Sequence, residues 1–253
     1  MNKTLKQYTK MKIYIEGNIG SGKTTFLNLL QSKFKLGVDF VYEPIKEWLD
    51  FKDTEGKNIL DHFYSDQKKN SFMFQMNAFI TRTKAIQKAI DKKYYEDLET
   101  TLLIERSVYT DRYCFAKNLY ETGKLTEIEW KLYCKWFNLL TVDYNIVPDG
   151  FIYLRTLPKV SYQRVQERSR TEETGIKLEY LTQLHNLHDS WLLSKTLSCP
   201  VLVLDVTESF EHNYLIFKSF VEKINNFFPL VKKYKESQKS VKNSIMSEFQ
   251  LEL

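Results

Sequence analysis

Cysteine is scarce and unpatterned in this chain. Cys114, Cys134 and Cys199 are odd in number and lack metal-site spacing, which argues against a disulfide scaffold and for a reduced, intracellular protein. The 4 histidines offer no ligand set either, although His185 and His188 share a helical stretch. No apolar run is long enough to span a bilayer. Residues 1–10 are polar, with neither the apolar core of a secretory signal nor the arginines of an organelle presequence. A cytoplasmic setting, with no membrane partner, is the expectation. Basic runs interleaved with aromatics are missing, so no polynucleotide groove is expected. The mild excess of 37 Lys+Arg over 32 Asp+Glu suits polyphosphate at least as well. There is no internal repeat, and no Asn-Lys-x-Asp follows a strand, which disfavours a nucleotide-switch GTPase.

What is present is a chain of 253 residues, 43% hydrophobic and 27% charged, long enough for one domain with a lid. It is organised around Gly17-Asn18-Ile19-Gly20-Ser21-Gly22-Lys23-Thr24, with Thr25 next, a fit to G-x-x-x-x-G-K-[ST]. An apolar strand pattern at 11–15 precedes it and a helical pattern follows, the context the motif requires. The glycines let the backbone turn its N–H groups toward phosphate oxygens, and the helix adds its positive end. Lys23 would neutralise terminal phosphates and Thr24 would offer its hydroxyl to Mg²⁺.

Further strands are expected at 38–42, 101–104, 151–154 and 201–205. Helices are expected at 71–98, after the capping box Thr126 to Glu129, at 158–168 and at 177–193, with a final helix after the last strand. The alternation predicts an α/β fold: a P-loop three-layer arrangement with a parallel sheet of about five strands and helices on both faces. The polar linker 169–175 beside Arg164 and Arg168 reads as an Arg-rich lid. Residues 1–10 form a polar N-terminal segment, 11–230 the catalytic domain, and 231–253 a polar, weakly packed C-terminal tail, with a terminal helix as the alternative.

In such a sheet ligands sit beyond the carboxyl ends of the strands. Four strand ends deliver chemistry here. The first carries the phosphate loop. The second carries Glu43, placed to accept a proton from an attacking hydroxyl, or simply a salt-bridged strand end. Glu105-Arg106, at the third, puts a carboxylate near a metal and a cation near the acceptor oxygen, or is a structural ion pair. The fourth leads into the helix with Arg164 and Arg168 one turn apart, and Arg170 follows in the linker. The three can converge on a transferring phosphate, although a solvated helix face would show the same run. Gln75 carries an amide able to pair with a base edge, or is a helix-surface residue. Phe74 and Phe115 taken alone read as core aromatics.

Residues 13–24, Glu43-Pro44-Ile45-Lys46-Glu47-Trp48, Ser71-Phe72-Met73-Phe74-Gln75, the run from Glu105 to Tyr113 and that from Arg168 to Gly175 together resemble the deoxyribonucleoside kinases, in order, over roughly residues 11–210. The resemblance implies phosphoryl transfer from ATP or another nucleoside triphosphate, with Mg²⁺, to the 5′-hydroxyl of a deoxynucleoside. By position it makes Glu43 the general base and Lys23 and Thr24 the phosphate and metal contacts, with Glu105 beside the metal. Arg106 holds the 5′-oxygen, and Arg164, Arg168 and Arg170 form the closing lid. Tyr64 and Glu173 resemble the pair that binds the sugar 3′-hydroxyl, and Trp48, Phe74 and Phe115 the walls around the base. Residues 49–63 align with nothing distinct. The apolar, aromatic helix at 130–140 resembles a dimer face, so a homodimer is expected.

Arg82 lies two turns after Gln75 on the same face, and Asp111 follows the third strand. If they meet, Asp111 fixes the guanidinium and accepts from an exocyclic amino group while the pair crowds the place of a thymine methyl, or the two form only a buried structural salt bridge with no base preference. The resemblance points the same way, to deoxycytidine, deoxyadenosine or deoxyguanosine over thymidine. Two other readings compete: a thymidylate-kinase-like nucleoside monophosphate kinase, which would need extra cations for the acceptor's phosphate, and a non-catalytic P-loop nucleotide-binding protein.

Overall fold

The structure is a computed structural model and describes residues 11–34, 37–96, 100–144, 146–173 and 175–250. Five strands, β1 (Lys12–Glu16), β2 (Val38–Val41), β3 (Thr101–Glu105), β4 (Gly150–Arg155) and β5 (Val201–Asp205), form one sheet in the order β2-β3-β1-β4-β5. Every pairing is parallel. The helices between them are α1 (Lys23–Gln31), α2 (Ile45–Asp50), α3 (Ile59–Ser65), α4 (Gln67–Glu96), α5 (Val108–Thr110), α6 (Ala116–Glu121), α7 (Glu127–Asp143), α8 (Pro158–Arg168), α9 (Leu178–Leu192) and α10 (Tyr214–Gln250). A π turn, Asp111–Phe115, joins α5 to α6, and a 3₁₀ turn, Thr171–Glu173, lies between α8 and α9.

β1 is buried along its whole length, and its period-2 alternation splits the core. Tyr14 faces the same layer as Leu102, Ile104, Phe151 and Tyr153, under α3, α4, α6, α7 and α9. Ile13 and Ile15 face the other way, with Leu103, Ile152 and Leu154, under α1 and α10. The P-loop α/β architecture expected from the sequence is therefore the one observed, with β1 central and its carboxyl end pointing the phosphate loop out of the sheet.

Several boundaries differ from expectation. The long helix starts at Gln67 rather than at residue 71, and its expected end at residue 98 lies outside the described residues. Residues 49–63, which showed no motif, contain the start of α3, capped by Asn58 and Asp61 in a reciprocal capping box. The domain edge expected at residue 230 falls inside α10. Phe217, Phe220, Ile224, Phe227 and Val231 bury one continuous stripe, and Lys235 pairs with Asp149 at 2.8 Å. Polar composition there marks an exposed face of a continuing helix rather than the end of the fold. The expected segments 1–10 and 251–253 lie outside the described residues.

Candidate active site

At the carboxyl ends of β1, β2 and β3 opens a cavity of about 740 Å³. Its floor is the phosphate loop. Gly20 (φ 76) and Gly22 (φ 87) adopt left-handed conformations, and a Cβ on Gly20 would stand 2.5 Å from the Ser161 carbonyl oxygen. Only glycine fits that approach. Gly22 is the N-cap of α1 and supplies no capping side chain, nor does the first turn hold an acidic residue. The positive end of the helix is thus left for an exogenous anion.

Lys23 donates to the carbonyls of Gly17 (3.2 Å) and Asn18 (2.8 Å). Burial, and then the charge of Arg106, lower its pKa to about 7. An anion seated in the loop would restore the ammonium, which ties the charge of Lys23 to ligand binding. Thr24 donates its hydroxyl to Glu105 Oε1 at 2.6 Å. Ile19, Gly20, Gly22, Lys23, Thr24 and Thr25 line the cavity. Gly17, Asn18 and Ser21 do not line it and instead brace the loop: the Asn18 amide donates to the Leu181 carbonyl at 2.8 Å, and Ser21 is fully buried.

A chain of alternating charges closes the acceptor end. Arg106 approaches Glu43 at 3.5 Å, Glu43 is hydrogen-bonded by Arg82, and Arg82 also donates to Asp111. The Arg82 and Asp111 pair was legible in the sequence; the link from Arg82 to Glu43 was not. Burial alone would raise the Glu43 pKa, yet the charges of Arg82, Arg106 and Lys23 hold it down to about 2. Glu43 is therefore an ionised acceptor over the whole physiological range. Asp111 goes the other way, because burial outweighs the pull of Arg82. Arg106 sits at φ 60, a conformation costing about 1–3 kcal/mol for a non-glycine residue. Its N–H donates to the Ile15 carbonyl at 3.0 Å, its guanidinium donates to the Gly17 carbonyl at 2.9 Å, and it stacks 4.9 Å from the Phe115 ring centre. The same side chain thus touches the phosphate loop and the Glu43 carboxylate.

Trp48 donates to Thr81 at 2.8 Å and meets the Phe74 ring edge-on at 5.5 Å, while Phe63 stacks on Phe74 at 4.5 Å. The Arg82 guanidinium lies 5.1 Å from the Trp48 ring centre. These form a flat apolar slot with a polar end. There, Gln75 Oε1 and Asp111 Oδ2 are buried without a hydrogen-bond partner among the described residues. Two unmatched acceptors call for a ligand that brings donors.

The three arginines expected to form a lid are engaged by partners of their own. All three line the cavity, but Arg168 is paired with Glu173, Arg170 reaches the same carboxylate at 3.4 Å, and Arg164 donates to the Val206 and Thr207 carbonyls at 2.9 and 3.2 Å. A carboxylate within reach gathers guanidinium groups that spacing alone would aim elsewhere. Tyr64 is half-buried and lines the cavity with Glu173. Sequence reasoning missed Ile45, Leu60, Phe63, Tyr180 and the loop Ser209, Phe210, Glu211 and His212, which also line it. The strand-end rule, applied to β5 as it was to the other four, would have found that loop.

Known proteins share this arrangement of sequence. The family model for deoxynucleoside kinases matches residues 13–229. The chain is 37% identical to deoxycytidine kinase 2 of Gallus gallus, with 85% of this chain and 89% of the relative covered. It is also 37% identical to the deoxycytidine kinase of Homo sapiens, over 85% and 90%. A mitochondrial deoxyguanosine kinase of Xenopus laevis is 37% identical over 82% and 86%. The phosphate loop, the carboxylate at the end of β2 and the Glu105-Arg106 pair all fall within the matched span, and the chain belongs to the deoxynucleoside kinase family.

Proposed function

We propose that this enzyme transfers the terminal phosphate of ATP or another nucleoside triphosphate to the 5′-hydroxyl of a deoxynucleoside, favouring cytosine, adenine or guanine over thymine. The observation that carries the reading is the shared cavity in which a phosphate loop and an aromatic slot meet across Arg106 and Glu43. The donor phosphates lie on the loop N–H groups and Lys23. The 5′-hydroxyl donates to Glu43, which holds it in line, and Arg106 steadies its oxygen. Thr24 and Glu105 would hold Mg²⁺, a hydroxyl already turned to a carboxylate. Bound there, Mg²⁺ supplies positive charge to the donor's phosphate oxygens. Gln75 and Asp111 supply acceptors for an exocyclic amino group, which thymine lacks.

The monophosphate kinase reading needs cations to spare at the acceptor end, whereas Arg82 and Arg106 are already matched to Glu43 and Asp111. A panel of the four deoxynucleosides and their monophosphates, each with ATP and Mg²⁺, tests the assignment. Phosphorylation of monophosphates alone would overturn it.

The lid arginines stabilise charge on the phosphoryl group in flight. Arg168→Ala is expected to lower kcat about tenfold, since Arg164 and Arg170 remain, and to raise nucleoside KM far less, because Arg170 still reaches Glu173. A raised KM at wild-type kcat would move Arg168 away from the phosphates. The exposed stripe Ile128, Leu132, Trp136 and Leu139 on α7 supports a homodimer, and sedimentation of the purified chain as a monomer would refute that. The free thiols of Cys114, Cys134 and Cys199 support a cytoplasmic location. No helix among the described residues is long and apolar enough to cross a membrane.

A further inference from the structure

We propose that Asn58 and Glu172 form a latch that fixes the lid turn and thereby sets how strictly the site demands a 3′-hydroxyl on its substrate; this rests on the kinase reading, with Tyr64 and Glu173 at the sugar. Asn58 is buried at the N-cap of α3. Its Oδ1 accepts from the backbone N–H groups of Leu60 and Asp61, both at 2.9 Å. Its Nδ2 is then left over, and donates to Glu172 Oε1 at 3.1 Å, across 114 residues of sequence.

The choice of asparagine is informative. Aspartate caps a helix equally well but has no N–H to give to a carboxylate. At this position the amide does both tasks, so the contact to Glu172 is not an incidental product of capping.

Glu172 is the middle residue of the turn Thr171–Glu173, which packs on α3. The adjacent Glu173 pairs instead with Arg168 and Arg170 and lines the cavity together with Tyr64. Tyr64 is itself on α3, near the end opposite the cap. One helix therefore holds the lid turn at its first end and presents a sugar-facing hydroxyl near its last. The segment after the turn is seated by apolar contacts, Val165, Ile176 and Leu181 with Tyr64 and Tyr180 packed against them. Dispersion contacts of that kind set depth but leave rotation of the turn loose, whereas a hydrogen bond between named atoms sets direction. With the latch gone, Glu173 is held only by Arg168 and Arg170 of the lid itself, so it moves with the lid and a 3′-hydroxyl loses an acceptor fixed relative to α3. The rest of the substrate keeps its contacts.

The test uses full-length Asn58→Asp, Glu172→Ala and the swap Asn58→Asp/Glu172→Gln. The readout is the ratio of kcat/KM for the deoxynucleoside that wild type uses best to kcat/KM for its 2′,3′-dideoxy analogue. Asn58→Asp keeps the cap but sets two carboxylates face to face. It and Glu172→Ala are expected to lower the ratio roughly tenfold, the small end for a hydrogen bond to a charged group. In the swap, the amide introduced by Glu172→Gln donates to the new carboxylate, and the ratio should return to within about twofold of wild type. Single variants that discriminate like wild type, or a swap no better than Asn58→Asp, would overturn the latch and leave the kinase reading intact. Wild-type enzyme that phosphorylates no deoxynucleoside at all would overturn both.

Discussion

Glu43→Gln should lower kcat by about 10²–10⁴-fold, the range for a positioned base, while the nucleoside still binds. Near wild-type turnover in a folded variant would remove Glu43 from the chemistry. The pKa of about 2 gives the role a particular shape. Such a carboxylate is a weak sink for a proton, but phosphoryl transfer through a loose transition state asks little deprotonation of the nucleophile until late. Glu43 then acts mainly by holding the 5′-hydroxyl in line, accepting its proton as the oxygen loses basicity. The sign of the pH dependence follows. A group whose pKa is depressed stays charged at every pH above that value, so acidification from neutrality does not protonate Glu43. The acid limb of kcat/KM should therefore be the same in wild type and in Glu43→Asp. A limb near the ordinary carboxylate range that moves with this substitution would refute the assignment.

Arg82→Met should be costly in a different currency. It leaves Glu43 and Asp111 as buried carboxylates without their shared partner, and breaking a buried pair in this way costs about 3–5 kcal/mol. Thermal or urea unfolding would read the loss directly. Adding Asp111→Ala removes one of the stranded charges and should recover part of that stability. The double variant also opens the slot beside Gln75 and deletes an acceptor. Its activity should shift toward thymidine relative to the amino-bearing bases by roughly 1–3 kcal/mol in kcat/KM, the usual worth of a reshaped pocket. Wild-type preference for thymidine, or a double variant with unchanged relative rates, would sink the assigned role.

What the sequence made legible was local. The phosphate loop declares itself because its glycines, lysine and threonine are contiguous, and the strands because apolar runs of four or five residues sit between turns. Arg82 and Asp111 were found by face and strand-end reasoning. The bond from Arg82 to Glu43 joins residues 39 apart, and the one from Asn58 to Glu172 joins residues 114 apart. Neither leaves a trace in spacing, because both depend on how helices settle on the sheet. α3 was overlooked for another reason. Its box uses Asp61 where the usual pattern has Glu or Gln, and it opens from a polar stretch that reads as loop. The end of α10 was misjudged because polarity reports exposure, whereas the three- and four-residue spacing from Phe217 to Val231 reports the helix.

The central place of β1 also bears on how the enzyme is made. β1 is synthesised before both of its neighbours, β3 and β4, and its Lys12 N–H donates to Asp149, 137 residues later. At synthesis rates of about 5–20 residues per second, β1 waits on the order of ten seconds for its second partner. Until β3 emerges Ile13-Tyr14-Ile15 is an apolar strand with two open edges, and until β4 emerges it keeps one, the kind of segment that chaperones hold and that aggregates when they do not. Nucleotide offers no relief, because the loop at the end of β1 has no rigid base until both neighbours are in place. Stabilisation of the nascent chain by nucleotide is therefore expected only after β4 has emerged.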